Sequence, residues 1–138
     1  MRVEHLSATI GKTQLDFLLR LAVAGALVGH GAYGAVLARE SWYSYFAVFG
    51  LSESMVESTG LLRIIGGAEI ALGVIVLVFP VPALLLLLAT WRIFAELLRP
   101  IAGEPVWEFI ERASNMAAPV VLLYVRGWPR SLPGWLRT

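Results

Sequence analysis

The sequence predicts an all-α integral membrane protein, a four-helix bundle with a short interfacial helix between spans one and two. Hydrophobic residues make up 58% of the chain and charged residues only 15%, a balance too apolar for a soluble domain of 138 residues. The apolar residues occur in runs long enough to cross a bilayer as helices. Aromatic residues cluster just after the first run, as is typical of a segment at the lipid headgroups.

The first span is predicted over residues 15–37, after a polar leader over 1–13. A cleavable signal peptide is the competing interpretation, because residues 36–38 resemble a small-residue cleavage site, but the apolar run is too long for one. The aromatic segment 41–51 is too short to span and is predicted to lie at the interface.

Ser58 or Thr59 is predicted to cap the second span, which ends at the turn sequence 79–82. The later spans are predicted over 61–78, 83–98 and 106–125. The short turn predicts that the second and third spans are antiparallel neighbours. The chain 1–138 is therefore expected to form one transmembrane domain.

The distribution of cationic residues predicts the orientation. Residues flanking the start of the first span and the end of the fourth are cationic, namely Arg2, Lys12, Arg126, Arg130 and Arg137. On the opposite side, Arg39 and Arg99 are set against several acids. We therefore expect a multi-pass protein of the cell inner (plasma) membrane with both termini in the cytoplasm.

The chain has no cysteine, which excludes disulfides, iron–sulfur clusters, thiolate metal sites and c-type haem attachment. The net charge of +1 gives no basic surface for nucleic acid. A redox role would need a bound cofactor, of which a quinone is the one considered, or a partner subunit.

Nine polar residues fall within the apolar spans and are the candidate ligand-binding residues: His30, Arg63, Glu69, Arg92, Glu96, Glu108, Glu111, Arg112 and Asn115. At about 1.5 Å of rise per residue, all nine lie at the middle of the bilayer or in its outer half. This placement predicts a polar chamber open toward the external face. Its catalytic residues, if it has any, are not indicated.

Helical spacing groups these residues. Arg92 and Glu96 share a face of the third span, and the four residues from Glu108 to Asn115 share a stripe of the fourth. Arg63 and Glu69 differ by about 120° in phase, so they are expected to have different neighbours.

Several structural interpretations compete with a ligand site. A paired network of charges can serve only to clamp helices together. His30 can be a hydrogen-bonded packing residue; it is a poor lone haem ligand, and no spacing indicates a metal site. Asp16 and Arg20 are most simply a surface pair. Small residues of the first span form a stripe that lets another helix approach, namely Gly25, Gly29, Gly31 and Gly34.

Two segments carry a resemblance to a known family. Arg20 followed by a glycine-rich first span, the segment 66–73 (GGAEIALG) and four spans in 138 residues resemble the DoxX-like group of small membrane proteins. The segments 95–100 and 108–115 look like an uncharacterised bacterial branch of that group. Only Glu69 and the pattern of Arg20 with the following glycines carry over residue by residue.

The resemblance implies a fold and an association with quinone-linked oxidoreductase complexes; distant members act as cargo receptors or assembly chaperones. The first hypothesis is therefore a membrane subunit that binds a quinone-like or lipid-like amphiphile and associates with an oxidoreductase. The second is a small membrane enzyme that uses Glu and His acid–base chemistry on a lipid-like substrate. The third is a noncatalytic assembly scaffold, and a homo-oligomer is also open.

Overall fold

The computed structural model describes the backbone over residues 2–138 and the side chains over 11–138. The predicted all-helical class is confirmed over this range, which contains no strand. The helices are α1 (Arg2–Ala35), α2 (Ser41–Ala47), α3 (Glu53–Thr59), α4 (Leu61–Val78), α5 (Pro82–Ile101), α6 (Val106–Glu111) and α7 (Ala113–Arg126). A short 3₁₀ helix over Leu132–Leu136 forms the tail turn. Since α1 begins at Arg2, the polar leader belongs to the same helix as the first span.

Two helical segments, Gly11–Ala35 and Leu61–Val78, are long and apolar enough to cross a membrane. The third and fourth predicted spans differ from these two. Helix α5 carries Arg92, Glu96 and Arg99, and the region of the fourth span is divided between two shorter helices. Only part of the predicted membrane architecture is therefore supported by length and composition.

The fourth span was predicted as one helix over 106–125, and this prediction is wrong because the helix breaks at Arg112. In a regular α-helix the amide of Arg112 would donate to the carbonyl of Glu108. That carbonyl instead accepts a hydrogen bond of 2.7 Å from Nη1 of the Arg112 side chain. The Arg112 amide donates to Phe109, three residues back. The predicted stripe from Glu108 to Asn115 is therefore interrupted.

The predicted caps of the second span are also wrong. Ser58 and Thr59 belong to α3, an additional helix, and their hydroxyls donate to the carbonyl of Met55. Ser52 caps α3 by accepting from the Met55 amide. Gly60 ends α3 with a φ of 64° and begins α4, a left-handed conformation that glycine adopts without strain.

Helix α4 packs closely on α1 rather than on α5. A Cβ built on Gly66 would overlap the Ala35 amide nitrogen and the Gly31 carbonyl oxygen, and one on Gly31 would overlap the Gly66 carbonyl. The two backbones are thus in direct contact, as small residues permit. Gly25 and Gly29, predicted to share this face, have open space beside them. Helices α4 and α5 follow each other through the turn but meet chiefly through long side chains.

One apolar core joins four helices in the middle of the molecule. Its buried residues come from α1, α4, α5 and α7, namely Val23, Ala24, Leu27, Val76, Leu85, Leu88, Leu122 and Leu123. The charged residues of α5 and α6 lie on one side of this core. Asp16 lies on the other side, where it binds both Arg20 and Arg126. The predicted pair of Asp16 and Arg20 is thus partly buried and ties α1 to α7.

Candidate ligand-binding site

A cavity of about 300 Å³ lies among α1, α2, α4 and α5. Its walls are largely aromatic and aliphatic, with Trp42, Phe46, Phe49, Ile65, Trp91, Phe94 and Leu98 among the lining residues. Phe49 and Phe94 are half-exposed, and their ring centroids lie 6.1 Å apart. These two rings form the outer rim of the cavity, and the polar groups lie deeper.

The polar part of the cavity is built around Glu69, which is only 1% exposed. Its Oε2 lies 2.6 Å from His30 Nδ1, and its Oε1 accepts a 2.6 Å hydrogen bond from Trp91 Nε1. Both carboxylate oxygens therefore have a fixed partner. The three side chains come from α1, α4 and α5, so their geometry depends on the packing of three helices.

His30 lines the cavity and engages Glu69 through only one ring nitrogen. Its ring centroid lies 4.8 Å from that of Trp42, with the two ring planes inclined by 33°, and 15% of its side chain is exposed. Glu69 occupies Nδ1, and Nε2 has no hydrogen-bond partner among residues 11–138. An imidazole bound to a carboxylate through one nitrogen can donate or accept through the other. His30 therefore keeps one ring nitrogen that is available to a ligand beside the cavity.

An ion-pair network adjoins the cavity. Its centre is Glu96, which is fully buried and binds Arg92 Nη2 at 2.5 Å and Arg99 Nε at 2.9 Å. Arg112 Nε lies 3.9 Å from the same carboxylate. Arg112 also pairs with Glu108 at 2.6 Å and with Glu111 at 3.0 Å. The structure thus connects five of the predicted residues, namely Arg92, Glu96, Glu108, Glu111 and Arg112.

Arg92 links this network to the cavity. Its Nη1 lies 3.9 Å from Glu69 Oε1, close enough for electrostatic attraction but beyond hydrogen-bond range. The residue is 2% exposed, and its Nε and Nη1 have no hydrogen-bond partner among the described residues. Arg92 therefore acts on Glu69 mainly through its charge.

The predicted chamber surrounded by His30, Glu69, Arg92, Glu111 and Asn115 is wrong in part. Only His30 and Glu69 line the cavity. Arg92 lies 3.9 Å from Glu69 outside the cavity lining, and Glu111 is exposed and pairs with Arg112. Asn115 lies in α7, after the break, and neither lines the cavity nor joins the ion pairs. The predicted tail exit along the glycine faces is closed by the contact of α1 with α4.

Arg63 lies apart from this site. It is exposed and lines a separate hollow with Tyr43, Val56 and Glu57. The different phases of Arg63 and Glu69 had predicted this separation. Within the described residues, no group of three His, Asp or Glu side chains is placed to hold a metal ion.

Tyr45 is a site residue that the sequence did not indicate. It lines the cavity, its hydroxyl donates to Glu104, and the same hydroxyl accepts a 3.0 Å hydrogen bond from Arg99 Nη1. Burial and the bond to Glu104 raise the pKa of Tyr45 to about 12. Burial opposes ionisation of Glu104, but hydrogen bonds from Tyr45 and Arg99 outweigh it and lower the pKa of Glu104. No helical spacing relates Tyr45 to Glu104, which are 59 residues apart.

Comparisons of the chain with protein-family models, with curated proteins and with solved structures find no match. The resemblance to the DoxX-like group stays a prediction.

Proposed function

We propose that this protein is a small multi-pass membrane protein that binds the polar head of a quinone-like amphiphile in the cavity beside His30 and Glu69. The observation that carries the proposal is the His30–Glu69 pair lining a cavity with aromatic walls, in which Nε2 of His30 is not engaged by Glu69. A quinone head needs a few hydrogen-bond partners beside apolar surfaces on which its ring can stack. Trp42, beside His30, and Trp91, which donates to Glu69, supply such surfaces.

The size of the cavity favours a head group over a whole lipid. A volume of about 300 Å³ is at the lower end for small-molecule sites. A long isoprenoid tail would therefore remain outside, in contact with lipid. The half-exposed rings of Phe49 and Phe94 make the rim between them the natural exit for that tail.

The hydrogen-bonded pair supports a role in proton exchange during quinone reduction. Reduction of a quinone to a quinol takes up two electrons and two protons. His30 can pass a proton through Nε2 while Glu69 stabilises the resulting imidazolium. An associated membrane oxidoreductase would exchange the electrons, so that this protein acts as its quinone-binding subunit.

Membrane embedding on four helical regions, at the inner membrane with both termini cytoplasmic, is part of the proposal. Its support is the apolar outer surface of the molecule, where large side chains such as Phe17, Ile64, Leu87 and Tyr124 are exposed. The charges of α5 are compatible with this placement because Arg92 and Glu96 are buried and paired, as intramembrane charges must be.

A second candidate function is acid–base catalysis on a lipid-like substrate. The observation in its favour is the same His30–Glu69 pair, in which a carboxylate orients an imidazole. The two functions differ in their products. An enzyme would convert a bound lipid in the absence of an electron donor, whereas a quinone-binding subunit would release the quinone unchanged.

Tryptophan fluorescence tests the proposal, because quinones quench nearby indoles and Trp42 and Trp91 line the cavity. The detergent-solubilised protein would be titrated with a short-chain ubiquinone. We expect saturable quenching that Ala95→Phe abolishes, since Ala95 lines the cavity and a phenyl ring would fill it. Ala117→Phe is the matched control, because Ala117 is exposed on α7.

Glu69→Gln tests the polar pair separately. The substitution keeps the side chain's size and an acceptor for Trp91 but removes the charge that orients His30. We expect quinone affinity to fall about tenfold, in line with the loss of a charge-assisted hydrogen bond. Equal affinity in Ala95→Phe and the wild type would refute the cavity as the binding site. Wild-type affinity in Glu69→Gln would refute the role of the pair.

A further inference from the structure

A second pocket lies on the opposite side of the apolar core from the cavity. It has a volume of about 460 Å³ and is bounded by the N-terminal half of α1, the start of α5, the end of α7 and the tail. We call it the cationic pocket after its charged lining residues, which are Lys12, Asp16, Arg20, Arg126 and Arg137. Four of these side chains are cations and one is a carboxylate, so the lining side chains carry an excess of three positive charges.

Asp16 occupies only some of the N–H donors of the cationic side chains in this pocket. It accepts from Arg20 Nε at 2.6 Å and from Arg126 Nη1 at 2.9 Å. Arg20 Nη1 also donates to the Leu77 carbonyl at 3.2 Å. A guanidinium has five N–H donors; Arg20 also contacts Asp16 through Nη2, so it keeps at most two donors for another acceptor, whereas Arg126 keeps four. Lys12 and Arg137 have no hydrogen-bond or ion-pair partner among residues 11–138.

The pocket also receives the positive end of a helix dipole. Pro82 lines it and is the first residue of α5, a helix of 20 residues. Pro82 has no amide hydrogen to donate, so the helix terminus acts on the pocket only through its dipole, which favours a negative group nearby. The helix terminus adds to a field that the four cationic side chains already supply.

Exposed apolar side chains neighbour the pocket-lining residues in the chain. Phe17, which follows Asp16 on α1, is 57% exposed. Leu132 and Leu136 of the tail turn are 86% and 73% exposed. A ligand with an anionic head and apolar chains would match both parts of this surface, whereas a free anion would use only the pocket.

We infer that the cationic pocket binds the phosphate headgroup of an anionic membrane phospholipid, with the acyl chains along the exposed side chains of α1 and the tail turn. The phosphodiester accepts hydrogen bonds from the uncommitted donors of Arg20 and Arg126 and pairs with Lys12 and Arg137. This inference rests on the proposed membrane placement but not on the quinone cavity, which uses none of these residues.

Native mass spectrometry of the protein released from nanodiscs tests the inference. Discs would contain phosphatidylglycerol and phosphatidylcholine in equal amounts. We expect retention of phosphatidylglycerol by the wild type and about thirtyfold weaker binding in the Lys12→Gln/Arg137→Gln double variant, from the contribution of two basic residues. Arg20 and Arg126 are left intact because they hold Asp16.

The matched control is Arg63→Gln/Arg130→Gln, which removes the same charge outside the pocket. It should retain phosphatidylglycerol as the wild type does. Equal losses in the two double variants, or equal retention of the two lipids, would overturn the assignment of the pocket. Displacement of the lipid by millimolar inorganic phosphate would also overturn it, in favour of a site for soluble anions. Quinone quenching is measured on the same samples, so failure of the cavity proposal is seen separately.

Discussion

At the residue scale, glutamates of the same chemistry have different roles because their burial differs. Glu96 is fully buried between Arg92 and Arg99, whereas the side chain of Glu111 is 64% exposed. The ion pairs within one helix, such as Arg92 with Glu96, follow from a spacing of four residues and were predictable from the sequence. Contacts between helices were not, since Tyr45 and Glu104 have no periodic relation.

Glu96→Gln tests the cost of breaking the buried pair. The change leaves the charges of Arg92 and Arg99 without their shared carboxylate, so we expect the free energy of unfolding to fall by about 3 kcal/mol or more. Glu111→Gln is the control and should cost at most about 1 kcal/mol, because exposed ion pairs contribute little. Denaturation of both variants in mixed micelles measures the difference, and similar losses would contradict the central position of Glu96.

The contact of Tyr45 with Glu104 predicts how stability depends on pH. Because the pKa of Glu104 is lowered in the folded state, its contribution is present above its ordinary pKa of 4.5 and is lost as the pH falls below that value. Because the pKa of Tyr45 is raised to about 12, its contribution is complete below pH 10 and is lost between about 10 and 12.

Thermal unfolding across pH checks these two directions. Glu104→Gln should show a smaller decline in Tm below pH 4.5 than the wild type, and Tyr45→Phe a smaller decline above pH 10. Glu40→Gln, at an exposed position just before α2, should follow the wild-type Tm at both low and high pH. A wild-type profile in Glu104→Gln would show that this carboxylate gains nothing from its partners on folding.

At the element scale, the second predicted span has the bounds of α4, residues 61 and 78, because Gly60 and Pro80 interrupt an apolar run with few charges. The bounds of the fourth predicted span were wrong, because a break occurs where the Arg112 side chain binds the backbone carbonyl of Glu108. Apolar composition alone does not contain that information. For the same reason, the sequence indicated that glycines of the first span pack against another helix, but it did not indicate which of them are in contact.

The contact of α1 with α4 predicts opposite effects for adjacent glycines. Gly66→Ala places a methyl group against the α1 backbone and should destabilise the protein by about 1–3 kcal/mol. Gly67→Ala meets open space and should be neutral or stabilising by up to about 1 kcal/mol, since alanine is the better helix former. Unfolding in detergent and denaturant compares the two. If Gly67→Ala were the more damaging change, the packing of α1 on α4 would be wrong.

At the scale of the whole molecule, the charges are arranged in two groups separated by the apolar core. One contains the ion-pair network beside the cavity, and the other is the cationic pocket. The sequence indicated this separation through depth along the predicted spans, because position along a helix is linear in residue number. Which residues converge in the third dimension required the packing of the helices.

Cysteine labelling tests the proposed orientation, since the chain has no natural cysteine. Ser131→Cys lies in the tail and should react with a membrane-impermeant maleimide only after the cells are opened. Ser54→Cys lies in α3, beside the cavity end of the molecule, and should react in intact cells. The reverse pattern would invert the topology, and labelling of both positions in intact cells would exclude a multi-pass arrangement with the tail inside.

The direct contact between α1 and α4 has a consequence for the order of biogenesis. On the proposed membrane placement, these two helices, which are the ones among the described residues long and apolar enough to cross a membrane, precede the charged helices in the chain. Glu69 would then enter the bilayer with α4 before Trp91 and Arg92 reach it, when His30 on the preceding helix is its available partner. On that placement, Arg92 of α5 would meet a carboxylate that His30 already holds in position. His30 would then have a role in assembly that is separate from any ligand.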